Sequence, residues 1–219
     1  MRQALYRVLA SVILFALVGD STGETPRPSV LEEDWQFEFK FKNLQPLRLK
    51  VGSEIKLYWY LRYTVMNRTG ADRTFTPEFV LYSERGTLLK ADEHVPPDAY
   101  RIIKKRHNNP LLRRNAAMNG KLLQGEDNAK HGVAIWPDFD AASGSVDIFI
   151  GGLSGENKQI VLPVPIRKTL RTAEGTTRES EKRTIVLSKT LNLRFEIPGE
   201  AAARHRVTPK LTAAKWVMR

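Results

Sequence analysis

Ser154 comes nearest to a catalytic nucleophile in this 219-residue chain, in Gly151-Gly-Leu-Ser154-Gly155 behind the apolar run Val146–Ile150. A nucleophile elbow needs Gly-x-Ser-x-Gly between a strand and a helix, so that the hydroxyl stands exposed on a sharp turn. Here glycine directly follows the serine, and the next apolar run, Ile160–Ile166, reads as another strand. The stretch is expected to be a glycine-rich hairpin or loop. The chain has no cysteine, which excludes thiolate zinc sites, iron–sulfur clusters, cysteine nucleophiles and disulfides. The four histidines, His94, His107, His131 and His205, form neither His-x-His nor His-Glu-x-x-His, and each reads as a surface residue. Asp138 and Asp140 could offer oxygen ligands to calcium, but the rest of an EF-hand loop is missing. They and Glu126-Asp127 read as solvated turn carboxylates, so no metal or cofactor is expected. Paired acids for glycoside hydrolysis meet in space rather than in sequence. Glu38, Glu78 and Asp147, on or near predicted strands, therefore leave a carboxylate-dependent hydrolase as a second alternative, although alternation puts Glu38 and Asp147 on polar faces. Phosphate-cradling loops of the Gly-x-Gly-x-x-Gly or P-loop kind are absent.

Two surface features could bind rather than react. Arg101, Lys104, Lys105 and Arg106, followed by Arg113 and Arg114, make a basic face suited to an anionic lipid, a wall polymer or an acidic polysaccharide through summed charge. The plainer expectation is a solvated face that keeps the chain soluble. Tyr58 and Tyr60 alternate with Trp59 and are expected on the solvent side of a strand, where aromatic rings can stack on sugars. A carbohydrate-binding module is therefore the first alternative function.

The elements that would position these residues are mostly strands. Trp35, Phe37, Phe39 and Phe41 alternate with Gln36, Glu38 and Lys40, and Leu47, Leu49 and Val51 continue the pattern. Ile55, Leu57, Trp59, Leu61, Tyr63 and Val65 alternate with polar or tyrosine positions, the pattern of a half-buried strand. Asn67-Arg-Thr-Gly-Ala-Asp72 supplies turn chemistry, and its Asn67-Arg-Thr69 triplet is read as turn rather than glycosylation site. Phe79–Ser83 and Thr87–Lys90 flank a glycine turn and read as a hairpin. Further strands are expected at Met118–Leu123, Val133–Trp136, Ser145–Ile150, Ile160–Ile166 and Thr184–Ile197, the last broken near Ser188 and Lys189 by a bulge or a change of sheet. One short helix begins at about Asp98, read as its cap behind Pro96-Pro97, and ends at Asn108-Asn-Pro110. The expected fold class is all-β: an antiparallel immunoglobulin-like β-sandwich of about nine strands with one short connecting helix. With no repeat and no linker, residues 30–200 are expected to form that domain and residues 201–219 a basic C-terminal tail.

Composition supports an ordered chain, 42% hydrophobic and 27% charged, with a formal charge of +11. The charge is uneven: residues 98–136 carry 8 bases and 3 acids, whereas residues 137–164 carry 1 base and 4 acids. Residues 1–23 read as a signal peptide, with Arg2 and Arg7 ahead of an uncharged run of 12 residues, Val8 to Gly19, and small Ser21 and Gly23 before the expected cut. Such a run spans only about 18 Å of a hydrocarbon core about 30 Å thick, which favours cleavage over anchoring. The protein is thus expected to be exported, periplasmic or extracellular, and to meet a membrane only if this segment stays uncleaved. Nucleic acid is not an expected partner, because export removes the chain from it and no recognition motif is present.

Leu61-Arg-Tyr-Thr-Val-Met-Asn-Arg-Thr-Gly70, Gly120-Lys-Leu-Leu-Gln-Gly-Glu126 and His131-Gly-Val-Ala-Ile-Trp136 follow one another in an order that resembles secreted bacterial immunoglobulin-like sandwiches of the telokin-like type, more narrowly those of planctomycete-type bacteria. Lys189-Thr-Leu, Ile197-Pro-Gly-Glu200 and Trp216-Val-Met-Arg219 are similar to that group too. Where the family pattern has Pro-Gly-Glu, this chain has Gln124-Gly-Glu126. The resemblance implies a fold and an envelope location but no activity, and no catalytic residue is carried over. The expected function is a non-enzymatic interaction or structural module of the cell envelope. Its partner would be an anionic envelope polymer or another secreted protein, and its C-terminal Lys215-Trp-Val-Met-Arg219 is expected to dock on the sandwich.

Overall fold

A computed structural model describes the backbone of residues 23–24, 35–171 and 177–219 and the side chains within 35–166 and 181–219. The expected signal peptide lies outside these residues except for Gly23. In chain order the strands are β1 (Gly23–Glu24), β2 (Glu38–Phe41), β3 (Gln45–Val51), β4 (Glu54–Met66), β5 (Arg73–Phe75), β6 (Glu78–Ser83) and β7 (Leu88–Lys90). Helix α1 (Pro97–Arg106) follows, then β8 (Leu112–Arg114), β9 (Gly120–Leu122), β10 (Lys130–Pro137), β11 (Ser145–Gly151), β12 (Asn157–Arg171), β13 (Thr177–Glu196) and β14 (Lys210–Met218). The protein is mostly β, with several sheets and few helices. One six-stranded sheet runs β1-β2-β4-β10-β8 with β3 also on β4; a second runs β12-β13-β11-β6-β7 with β14 on β13; β5 and β9 form a small third.

The inner faces of the two large sheets share one core. Phe37, Phe39, Trp59, Leu61 and Val65 from the first meet Phe79, Leu81, Ile148, Leu191, Leu193 and Phe195 from the second. Tyr63 bridges them, its ring 4.7 Å from Phe79 and 5.4 Å from Phe39. Burying each such side chain contributes on the order of 1.5–3 kcal/mol. Gly132, opposite Tyr63 on β10, is required by this ring: a Cβ there would lie 2.2 Å from Tyr63 Cζ.

β2 and β3 are two parts of one partner for β4. Phe41 faces Tyr63 and Gln45 faces Tyr60, so the edge takes four steps where β4 takes three. The extra residue makes a bulge, and a one-residue slip turns every later side chain to the opposite face. Phe37, Phe39, Phe41 and Leu44 therefore enter the shared core, while Leu47 and Leu49 enter a second cluster on the outer side. The alternation expected to continue at Leu47 and Leu49 is present, on the opposite face of the sheet.

Helix α1 covers that outer side. Ala99 and Ile103, one turn apart, pack with Leu47, Leu49, Tyr58, Tyr60, Val133 and Ile135. The middle of β4 is consequently buried on both faces rather than on one. The helix starts one residue earlier than expected: Pro96 occupies the N-cap and Pro97 the first helical position, where a missing N–H costs nothing. Asp98 makes no cap hydrogen bond and instead pairs with Arg101.

Within residues 201–219, expected as a tail, Lys210–Met218 form β14 of the second sheet. β14 pairs with the second half of β13 from Lys189–Met218 to Glu196–Lys210. The 3₁₀ turn Ala201–Arg206 before it holds Arg204 almost buried, 4.4 Å from the Phe139 ring, with Nη1 donating to the Asp140 carbonyl at 2.6 Å. The break expected near Ser188 is where β13 changes partners, from β12 before it to β11 and β14 after it.

Candidate functional site

The residues singled out for catalysis are absorbed by structure. Ser154 Oγ donates to the Trp35 carbonyl at 3.1 Å and accepts from Glu156 N–H at 3.1 Å, in a loop leading to β12 rather than to a helix. Asp138 accepts from Trp59 Nε1 at 2.7 Å, and Asp140 from Arg85 Nε at 2.6 Å. The hydrogen bond from Ala142 N–H and the Arg85 charge hold the Asp140 carboxyl below its usual range. Among the described residues no group of three or more His, Asp or Glu side chains is placed to hold a metal. Glu38 lies on the first sheet between Lys40 (3.1 Å) and Arg68 (3.2 Å), whereas Asp147 lies on the second, paired with Arg194 at 3.0 Å. Glu78 is on β6 beside Gly151, so these three acids share no cleft.

Tyr58 and Tyr60 are only 4% and 1% exposed. The expected aromatic platform is overturned, because α1 lies over both rings and no sugar can reach them. The Tyr60 hydroxyl donates to Gln45 Oε1 at 2.6 Å and sits 2.9 Å from His107 Nε2, with Arg106 Nη1 donating to it at 3.3 Å. Burial, with Arg62 and Arg106 nearby, pushes His107 down to about 4, so this imidazole is neutral at neutral pH. It is a partly buried pin between helix and sheet, not a free surface residue.

The six basic residues of the expected face do not form one patch. Arg101 and Lys105 flank a shallow cleft beside Ile102. Arg106 turns inward to Tyr60, and Arg114 turns to Asp92, 3.9 Å away. Lys104 and Arg113 face elsewhere, into a groove of about 470 Å³ whose other charged lining residues are Lys121, Lys130 and Asp127. Parallel pairing of β8 with β10 makes this groove, since it sets Leu112 beside His131 and Arg113 beside Gly132. Burial and the Arg113 charge lower the Lys130 ammonium from its ordinary value.

A second groove of about 490 Å³ adjoins the first, and Leu112 and His131 line both. It is the part of the outer sheet face that α1 leaves open, lined by Lys40, Lys42, Arg62 and Thr64, with Thr64 Oγ1 3.0 Å from His131 Nδ1. Seven cationic side chains and one carboxylate thus line two grooves that share Leu112 and His131. Lys40, Lys42, Arg62, Lys121 and Lys130 were not singled out from sequence. Their alternation onto polar strand positions was readable, but their convergence depends on the register of β2, β4 and β10.

Among the described residues no helix is long and apolar enough to cross a membrane. Compared with protein-family models, curated proteins and solved structures, the chain matches none.

Proposed function

We propose that this protein is a non-enzymatic, immunoglobulin-like β-sandwich, exported through residues 1–23, that holds an anionic polymer of the cell envelope on its cationic grooves. The observation that carries the reading is the convergence of Lys40, Lys42, Arg62, Lys104, Arg113, Lys121 and Lys130 on two adjoining grooves that contain one acid, Asp127. Lys40 is balanced by Glu38 at 3.1 Å and Lys121 by Asp72 at 3.0 Å; the positive charge of the remaining cations is what a polyanion would relieve while exchanging its own counterions. The two grooves share Leu112 and His131 in their linings, an adjacency that suits an extended ligand. The two large sheets with a common core, the missing cysteines and the signal-like N-terminus support the sandwich and its location outside the cytoplasmic membrane.

Retention of the purified protein on an immobilised acidic polysaccharide tests this, read as the salt concentration that elutes it. Replacing Lys42, Lys104, Arg113 and Lys130 by Ala is expected to lower the eluting salt sharply. Replacing Arg101 and Lys105, which lie outside the grooves, changes it little. Equal losses in both variants would leave only net charge at work and sink the assignment to the grooves, as would no retention at low salt.

A further inference from the structure

Asn157–Arg171 and the part of β13 from Thr177 to Ser188 pair with each other as a two-stranded ribbon. Among the described residues β12 pairs only with β13, and β13 before Lys189 pairs only with β12. At about 3.3 Å per residue the 15-residue β12 is roughly 50 Å long. At the root, Lys189 Nζ sits 2.6 Å from Glu156 Oε2 and 5.6 Å from the Trp216 ring centre. Outward from there the ribbon has a composition its surroundings do not explain. Ile160-Val-Leu162 and Ile185-Val-Leu187 are continuous apolar runs, the pattern of strands covered on both faces. Ile160 lies opposite Ile185 on one face, while Gln159 opposite Val186 and Val161 opposite Thr184 occupy the other. Val161 is 74% exposed, Val164 73%, Val186 52% and Ile166 47%. A bare two-stranded ribbon is only marginally stable in water.

We infer that this ribbon, through Asn157–Ile166 and Glu181–Ser188, docks on an anionic lipid bilayer. Charge complementarity selects that occupant. Lys158, Lys182 and Arg183 surround the aliphatic residues against Glu181 alone, and the sequence adds Arg167, Lys168, Arg171 and Arg178 against Glu174 and Glu179. Aliphatic side chains among cations enter the boundary between headgroups and acyl chains, and each nearby cation adds attraction to anionic lipid. The same observations disfavour a second copy of this chain, because two such ribbons repel each other. Pro163 and Pro165 also carry no N–H, so β12 offers no unbroken ladder to another strand. The ribbon lies on the surface and does not cross it, and it is separate from the polymer-binding grooves.

The test is co-sedimentation of the full chain with phosphatidylcholine vesicles, with and without phosphatidylglycerol. The wild type is expected to bind the anionic vesicles and not the neutral ones. Val161→Asp, Val164→Asp and Val186→Asp together weaken binding about a hundredfold. Lys182→Gln with Arg183→Gln weakens it roughly thirtyfold. Both variants keep the wild-type circular dichroism, since these side chains lie outside the shared core. Unchanged binding in both variants overturns the inference and assigns the affinity to the N-terminal apolar segment or the grooves. So does a wild type that ignores anionic vesicles, or one that forms a dimer which the valine substitutions dissociate.

Discussion

The two halves of β13 are one continuous strand in two environments. Beyond Lys189, Leu191, Leu193 and Phe195 are completely buried, with β11 on one edge and β14 on the other. Before Ser188, Val186 is half exposed and only β12 is alongside. Residues 181–188 and 189–196 each hold three large apolar side chains, so hydrophobicity alone does not decide which part of a strand becomes core. Pattern and neighbours do. The second half alternates strictly, Leu191-Asn-Leu193-Arg-Phe195-Glu196, and offers one apolar face to one core. The first half has apolar side chains on both faces, and no described element of the chain is layered on either.

The strongest way to break this comparison is in the core half. Phe195→Ala is expected to cost about 3–5 kcal/mol, read from the midpoint of urea unfolding. A cost near zero would mean that the inner faces of the two large sheets do not pack as described. Next in size is Asn67, fully buried and central to a polar cluster that ties the β4–β5 turn to the segment after β9. Its Nδ2 donates to the carbonyls of Ala71 (2.9 Å) and Leu122 (2.8 Å), and its Oδ1 accepts from Thr69 N–H (3.0 Å) and Gln124 Nε2 (2.9 Å). Asn67→Ala strands several of these groups and is expected to cost about 2–4 kcal/mol in the same assay.

A smaller effect sharpens the comparison at the helix-covered face. Folded His107 resists protonation until about pH 4, whereas the unfolded histidine takes its proton near 6.5. The unfolded chain therefore binds more protons between those values, so stability falls as pH drops from 6.5 towards 4. His107→Gln removes this part of the loss, and matching acid profiles for the two proteins would show that His107 does not sit beneath the arginines. The smallest effect belongs to the ribbon: Val186→Ser is expected to change stability by no more than about 0.5 kcal/mol. A loss comparable to that of Phe195→Ala would mean the ribbon is covered by the protein itself.

Much of the strand pattern was legible because period-two alternation reports a half-buried strand directly. Trp59, Leu61, Tyr63 and Val65 lie on the face their spacing indicates, and the Glu84-Arg-Gly86 turn forms with Gly86 at φ +90°. Tyr58 and Tyr60 were misread because alternation shows which residues share a face, not whether a helix will cover it. The alternation of Leu47 and Leu49 was legible, but the bulge that sends them to the opposite face leaves no mark in composition. The basic residues on α1 were visible as a cluster, but helical geometry scatters them: Lys104 turns to one groove, Arg106 inward, and Arg101 and Lys105 outward.

The sequence by itself determined that this chain is mostly strand, that it has no thiol chemistry, and where its cations are dense. These follow from residue type and local spacing, which act over a few neighbours. Only the tertiary structure decided that β8 lies parallel to β10, that α1 buries two tyrosines, and that seven cations from β2, β4, β8, β9, β10, α1 and the β2–β3 link line two grooves sharing Leu112 and His131. Those outcomes depend on register and on which sheet face finds a cover, and both are settled by contacts between segments far apart in the chain.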